Sequence, residues 1–339
     1  MGIIALDLMG GDKAPYEILK GALEALNNNE NLRLILVGSE KLIHDELDDF
    51  LSANSYLRDN IEIFNSEEVI NNDESPIKAI KKKKNASIIK AFELVSKGEA
   101  QGVVTAGSTA SAVVVSSIYL KKLCGISRPV IGTLLPNVNK KLSLLLDSGA
   151  NIDSKDYFLL HHAKLGSQYF KSIFKIKNPR VGLINIGTEA NKGNKLCREV
   201  FELLEKNEEL NFVGNIESRD IFFDNADVLV CDGFIGNIII KNIEGVAKFI
   251  FDSIKEELSK NLLSKLSAGF ISSSFKNIKK SLDYNEVGGS ILLGLSAPVI
   301  KAHGSSNYKA IKNSIVKCNE LIESGFIETI GVLKNKKEN

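Results

Sequence analysis

Five stretches of this 339-residue chain set glycines beside residues that donate or accept hydrogen bonds, and each could hold an anion or polarise a carbonyl. The first runs Asp7-Leu8-Met9-Gly10-Gly11-Asp12-Lys13-Ala14-Pro15. Its glycines permit an unusual turn and Pro15 suits the first turn of a helix. Either Asp7, Gly10, Gly11 and Asp12 form a loop against a substrate, or this is a tight strand-to-helix connection with Asp12 as cap. The second, Thr105-Ala106-Gly107-Ser108-Thr109, places small hydroxyl residues where a helix should begin. Such a terminus presents N–H groups and the positive end of the helix dipole, so Gly107, Ser108 and Thr109 suit a phosphate, and Ser108 equally suits capping. In the third, Asn185 to Asn194, Lys192 stands just ahead of a helix as a point charge and Asn194 flanks it; a solvated surface lysine has the same pattern. The fourth, Cys231-Asp232-Gly233-Phe234-Ile235-Gly236-Asn237, offers the Asn237 amide to a developing oxyanion or to helix capping. Cys231 has no histidine near it in sequence and reads as a small buried hydrophobe. The fifth, Lys301-Ala302-His303-Gly304-Ser305-Ser306-Asn307, again gathers donors at a helix start, as much for capping as for a ligand.

The elements that must position these loops follow from the apolar pattern. Short apolar runs at residues 3–8, 32–37, 61–64, 102–105, 130–135, 142–147, 180–186, 211–213 and 228–231 read as strands, several of them covered on both faces. Helical patterns lie between them at 15–26, 42–51, 77–95, 108–120, 157–174 and 195–205. Alternation of this kind predicts an α/β fold with a doubly wound, mostly parallel sheet, whose ligand crevice lies beyond the strand ends. From Ile243 the apolar positions step by three and four through Leu262, and a second amphipathic segment follows, which predicts a projecting helical hairpin. The expected organisation is a core at 1–242, a hairpin arm at 243–284, a return to the core at 285–330 with a last helix near 305–324, and a frayed tail at 331–339.

Composition narrows the class further. A net charge of +1 gives no overall reason for a nucleic-acid partner, and the four separated cysteines fit a reducing, cytoplasmic setting. No apolar run approaches the roughly 18 residues of a membrane span. The run Lys81-Lys82-Lys83-Lys84 is either a solvated face or a docking patch for an acidic partner. Leu262, Leu263, Leu266 and Phe270, with lysines alongside, fit a hairpin tip resting on lipid, or equally a dimer interface. His161 and His162 sit in an apolar helical stretch and read as structural. No metal-ligand spacing is evident.

Taken in order, these loops resemble the phosphate acyltransferases that act on acyl-acyl carrier protein. The resemblance rests on the residue 4–15 loop, the lysine run into Ser87, Ala106-Gly107-Ser108-Thr109, Leu146-Asp147-Ser148-Gly149-Ala150-Asn151, and Asn178-Pro179-Arg180. It continues through Gly187-Thr188-Glu189 with Lys192-Gly193-Asn194, Cys231-Asp232-Gly233-Phe234 with Gly236-Asn237, and Ala302-His303-Gly304-Ser305-Ser306-Asn307. Ser108 stands where the family usually has Asn, and Ser218 where it usually has Gly. The resemblance implies a fold similar to phosphotransacetylases and isopropylmalate-type dehydrogenases, a homodimer, a helical arm in peripheral contact with the membrane, and no cofactor. It implies transfer of a fatty-acyl group from acyl carrier protein to inorganic phosphate, with Lys192 and Asn237 in the active site. The acyl-phosphate would pass to a glycerol-phosphate acyltransferase in phospholipid synthesis. A phosphotransacetylase acting on short acyl-CoA and a non-catalytic carrier-binding scaffold are the alternatives.

Overall fold

The computed structural model describes residues 2–29, 31–71, 73–123, 125–260 and 288–335. Their strands are β1 (Gly2–Asp7), β2 (Leu32–Gly38), β3 (Ile61–Asn65), β4 (Gly102–Thr105), β5 (Val130–Pro136), β6 (Leu142–Leu146), β7 (Arg180–Asn185), β8 (Asn211–Glu217), β9 (Val228–Val230), β10 (Ser290–Leu293) and β11 (Val299–Lys301). All join one sheet in the order β3-β2-β1-β4-β11-β10-β5-β6-β9-β7-β8. The helices are α1 (Tyr16–Leu26), α2 (Glu40–Ala53), α3 (Pro76–Lys82), α4 (Ser87–Ser96), α5 (Thr109–Tyr119), α6 (Asp156–Ile173), α7 (Lys195–Glu205), α8 (Gly233–Ser259), α9 (Tyr308–Glu323) and α10 (Phe326–Asn335).

The sheet is mostly parallel, as the alternating pattern predicts, but it reverses in the middle. β3, β2, β1, β4 and β11 run together, while β6, β9, β7 and β8 run together the other way. The reversal passes through antiparallel pairing of β11 with β10, β10 with β5, and β5 with β6. Loops after β1, β4 and β11 therefore leave one edge of the sheet, and loops after β6, β7 and β9 leave the other. A crevice shared by these loops must therefore be reached from both edges of the sheet. What keeps the edges close is strand length. β11 has 3 residues and β10 has 4; at about 3.3 Å per residue the sheet is only about 10–13 Å tall there.

One face is covered by α1, α6 and α9, over a continuous core that includes Leu6, Leu36, Leu146, Phe170, Val228 and Ile300. The other face carries two separate apolar clusters. One lies under α4 and α5 and includes Ile131, Leu292 and Val299; the other involves α8 and includes Leu135, Leu145, Ile239 and Ile240. On β5, Ile131, Thr133 and Leu135 share this face, and Thr133 interrupts it with a hydroxyl. A gap in the apolar layer opens at that point.

Several sequence expectations shift. β10 and β11 were legible only as a glycine-rich return. The helical pattern at 77–95 is two helices, because Lys83 turns back to Val69 and Glu74 and ends α3. α8 starts at Gly233 and runs unbroken for 27 residues, so the boundary drawn at 242 falls inside a helix. α10 continues to Asn335, inside the stretch expected to fray. Pro15 sits at the N-cap of α1, which has no side-chain cap, so Asp12 does not serve as one. Ser218 opens a short 3-10 turn and is absent from the left-handed residues, so no glycine is required there. The second segment of the hairpin, with Leu262, Leu263, Leu266 and Phe270, lies outside the described residues.

The far half of the sheet is fastened by one cation. Arg180 at the start of β7 donates from Nη2 to Asp224 at 2.7 Å and to Asp227 at 2.9 Å, while Lys141 reaches Asp224 from the β5–β6 hairpin at 3.0 Å. Hydrogen bonds from Asn139, Arg180 and Lys141 hold the Asp224 carboxyl well below the usual carboxylate range. A depressed carboxylate stabilises the fold above its unfolded pKa, about 3.9, and the contribution is lost as pH falls. Arg180→Met should therefore cost on the order of 2 kcal/mol near neutral pH and less in acid. Urea unfolding at both pH values checks this; equal losses would show that Asp224 is not the linked group.

Candidate active site

The loop after β1 is organised by a buried carboxylate. Asp7 is 1% exposed and accepts from Ser87 Oγ at 2.6 Å and Thr105 Oγ1 at 2.7 Å, tying β1 to α4 and β4. Burial pushes its carboxyl up, against the pull of those two hydroxyls and the amides of Met9 and Gly10. Asp7 thus acts within the scaffold and does not line the cleft. Gly10 must be glycine: a Cβ there would lie 2.5 Å from Asp7 Oδ2 and 2.7 Å from the Gly107 nitrogen. The Asp12 amide donates to Gly304 O at 2.8 Å. The loops carrying Gly10–Asp12, Gly107–Thr109 and His303–Asn307 are therefore packed together, as one polar group at the first edge.

The opposite edge has its own buried carboxylate. Asp147 is fully buried and accepts from the amides of Gly149, Ala150 and Asn151 at 2.9, 2.8 and 2.9 Å, and from Asn151 Nδ2 at 2.8 Å. Burial raises its pKa and these donors oppose the rise. They curl the 147–151 loop into a cup that receives the start of α8. The Gly233 amide donates to Asn151 O at 2.9 Å, and a Cβ on Gly236 would fall 1.8 Å from Asp147 O. Only a helix bare at that position seats this deeply. Asp232 caps it by accepting from Ile235 N at 2.9 Å. Asn237, one residue past Gly236, is thereby placed against Gly149.

Both edges meet in one cleft of about 470 Å³. Thr109 and His303 reach it from the first edge, Ser148, Gly149 and Asn237 from the second, and Ser290 and Lys301 from the central strands. Val113, Val114, Ile131, Ile152 and Ile240 give it an apolar wall. Its floor is a hydroxyl chain: Thr133 Oγ1 lies 2.7 Å from Ser148 Oγ and 2.9 Å from Ser290 Oγ. Ser148 Oγ donates to Ile131 O at 3.0 Å, which orients the chain with Ser290 donating to Thr133 and Thr133 to Ser148. The floor therefore turns lone pairs, not protons, to the cleft. His303 Nδ1 lies 2.8 Å from Ser305 Oγ and 3.2 Å from Ser305 N, so the Ser305 turn holds the imidazole in place. Burial and the nearby Lys301 charge lower the His303 pKa.

The remaining predicted residues divide by role. Ser108 caps α5, accepting from Ser111 N at 3.1 Å; Asn194 caps α7 and Asn307 caps α9. Ser306 Oγ is buried with no hydrogen-bond partner among the described residues, and such a hydroxyl gains from an added ligand. Lys192 is half-exposed, 3.7 Å from Glu189, and is not among the residues that line the cleft. Of the lysine run, Lys83 is engaged by Glu74 at 2.6 Å, leaving Lys81, Lys82 and Lys84 exposed. Cys231 is buried, its thiol held well above its ordinary pKa first by burial and then by Asp232 and Asp147, so it is protonated and inert. Burial drops His162 to about 3, a neutral core histidine. In the sequence Lys301 and Ser148 stand within loop motifs without a role of their own, and Thr133 and Ser290 lie outside every motif. A polar residue at an inward strand position is the signal for Thr133, whereas Lys301 ends a strand too short to show any period.

The reversed, mostly parallel sheet is shared with solved phosphotransacetylases. The structure superposes on a phosphotransacetylase from Streptococcus pyogenes with a TM-score of 0.59 at 19% identity, over 95% of this chain and 94% of that one. A branched-chain phosphotransacylase from Enterococcus faecalis V583 gives 0.59 at 15% identity, over 95% and 99%. These likenesses define the fold class. The chain belongs to the family described as "Fatty acid synthesis protein", whose model matches residues 3–329. Proteins named phosphate acyltransferase are its curated relatives. One from Dictyoglomus turgidum is 44% identical over 94% of each chain, and one from Clostridium novyi is 42% identical over 96% of this chain and 97% of the relative. The family read from the ordered loop motifs is borne out. No helix among the described residues is long and apolar enough to cross a membrane.

Gly236→Ala tests how the cleft is built. The added methyl has nowhere to go but into Asp147 O, so α8 must lift and carry Asn237 away. The variant should lose at least about 2 kcal/mol of stability, in the range of overpacked cores. Unchanged melting would show that the helix seats without this contact.

Proposed function

We propose that the chain transfers a fatty-acyl group from an acyl carrier protein thioester to inorganic phosphate, giving acyl-phosphate for phospholipid synthesis. The observation that carries this reading is the single cleft in which the Asn237 amide, the start of α5 and the His303 loop face an apolar wall. The first three suit oxyanions, and the wall suits an alkyl chain at about 0.8 kcal/mol per buried methylene.

Phosphate is itself the nucleophile, so the reaction asks for placement and charge compensation more than for a reactive side chain. A phosphate oxygen attacks the thioester carbonyl, the tetrahedral oxyanion takes a hydrogen bond from Asn237, and the C–S bond breaks to release the carrier thiol. The proton of the hydrogen phosphate ends on that sulfur. Amides around Gly107–Thr109 and the His303–Asn307 loop, with the orphaned Ser306 hydroxyl, cradle the acceptor. Lys192 supplies a charge from the rim. Its 3.7 Å contact with Glu189 is an exposed pair worth at most about 1 kcal/mol, so turning toward substrate costs little.

Lys81, Lys82 and Lys84 present charge to an acidic carrier, and the apolar residues of the hairpin provide peripheral membrane contact. Dimerisation and delivery of product to a glycerol-phosphate acyltransferase complete the reading, and they rest on the family resemblance.

Phosphate-dependent release of carrier thiol is the direct assay. Asn237→Ala and Lys192→Ala should each keep the fold and lose on the order of 10²–10³ in kcat. Near wild-type turnover in either removes that residue from the mechanism. Faster turnover of acetyl-CoA than of long-chain acyl carrier would favour the phosphotransacetylase reading, and carrier binding without thiol release would favour the scaffold. Charge neutralisation at Lys81, Lys82 and Lys84 should raise the carrier KM and flatten its salt dependence; an unmoved KM leaves them as a solvated face.

A further inference from the structure

Four ionisable side chains line the cleft: Lys241, Glu244, Lys301 and His303. Lys241 donates to Glu244 at 2.8 Å, so those charges largely cancel. His303 is held toward its neutral form by burial and by Lys301. Lys301 remains. Lys301 closes β11 with its side chain mostly buried, and among the described residues no carboxylate stands within ion-pair distance of it.

Its placement is set by the sheet. Lys301 pairs in register with Ser290 across the β11–β10 ladder, so both side chains leave the same face, about 5 Å apart at Cβ. Ser290 is the outer end of the hydroxyl chain through Thr133 to Ser148, which has spent its protons inward. In this orientation the floor can accept from an ammonium. A partly buried cation is stabilised by an anion brought between it and the helix N-terminus beside it.

We propose that Lys301, steadied by Ser290 of the Thr133–Ser148–Ser290 floor, is the cation that binds the tetrahedral oxyanion acceptor in this cleft. The assignment rests on the phosphate-transfer reading and adds to it a residue distinct from Lys192. The groups that set its charge are Lys241 and Glu244 from α8 and Asp12 from the loop after β1, while Lys301 in turn acts on His303 beyond its own strand end. Burial first, then Lys241, bring Lys301 down to about 8, while Glu244 and Asp12 oppose the fall. A lysine lowered this far binds an anion below that value and loses it as pH rises through it.

Inorganic phosphate alone, titrated calorimetrically into the full-length protein, tests the subsite without acyl chemistry. Lys301→Met should weaken phosphate binding, and raise the phosphate KM, by about 10- to 100-fold with the acyl-donor KM unchanged. Lys301→Arg should restore binding and hold it constant through pH 8, where the wild type weakens. Phosphate affinity in a folded Lys301→Met protein within about twofold of wild type would overturn the proposal. If that variant does not fold, wild-type phosphate affinity that stays flat as pH passes through about 8 overturns it instead. Lys301-dependent phosphate binding without phosphate-dependent thiol release would sink the transfer reading and leave the subsite standing; thiol release indifferent to Lys301 would do the reverse.

Discussion

Gly236 approaches the carbonyl of Asp147 so closely that a single methyl group would not fit between them. The geometry of the cleft depends on this contact. Asp147 gathers the amides of residues 149–151 around its carboxylate, the resulting cup accepts the first turn of α8, and the bare position lets the helix sink until Asn237 faces the cleft. A buried carboxylate that accepts from three backbone amides is a rigid support, since each donor would be orphaned if the loop opened.

Asp7 plays the matching part at the other edge. It holds Ser87 and Thr105 while Gly10 lies against Gly107. The two carboxylates belong to oppositely directed halves of the sheet, and neither lines the cleft. Their work is to fix loops that would otherwise be free, so that groups from both edges converge across a sheet only a few residues tall. The short β10 and β11 are what make that convergence possible. Longer central strands would have carried the α5 terminus and Asn237 beyond the reach of one ligand.

The cleft itself is a break in a hydrophobic layer. On the face under α5 and α8, apolar residues pack on either side, and Thr133, Ser148, Ser290 and Lys301 occupy the gap. The hydroxyls buried at that place bond one another, and Lys301 is the member with no ion pair among the described residues. The cost of burying it is expressed in its lowered pKa, and a bound anion recovers that cost.

The amino-acid sequence by itself determined nine strands, the helices between them, the glycine loops at the strand ends and the family. All of these are encoded by neighbouring residues: period, turn chemistry, and motifs in order. The tertiary structure alone decided how the halves run and which loop residues meet. β11, three residues long, carries no readable period, yet pairing it between β4 and β10 reverses the sheet and aims Lys301 inward. Ser108 and Asn307 suited ligands as much as caps and Asn194 belonged to a substrate loop, and the fold spends their side chains on helix amides. Asp7 looked like a substrate group and is instead enclosed by Ser87, 80 residues away in the chain. Local sequence specifies what a segment can be; strand direction and the choice between capping a helix and facing a ligand arise from contacts between distant segments, which no single stretch of residues contains.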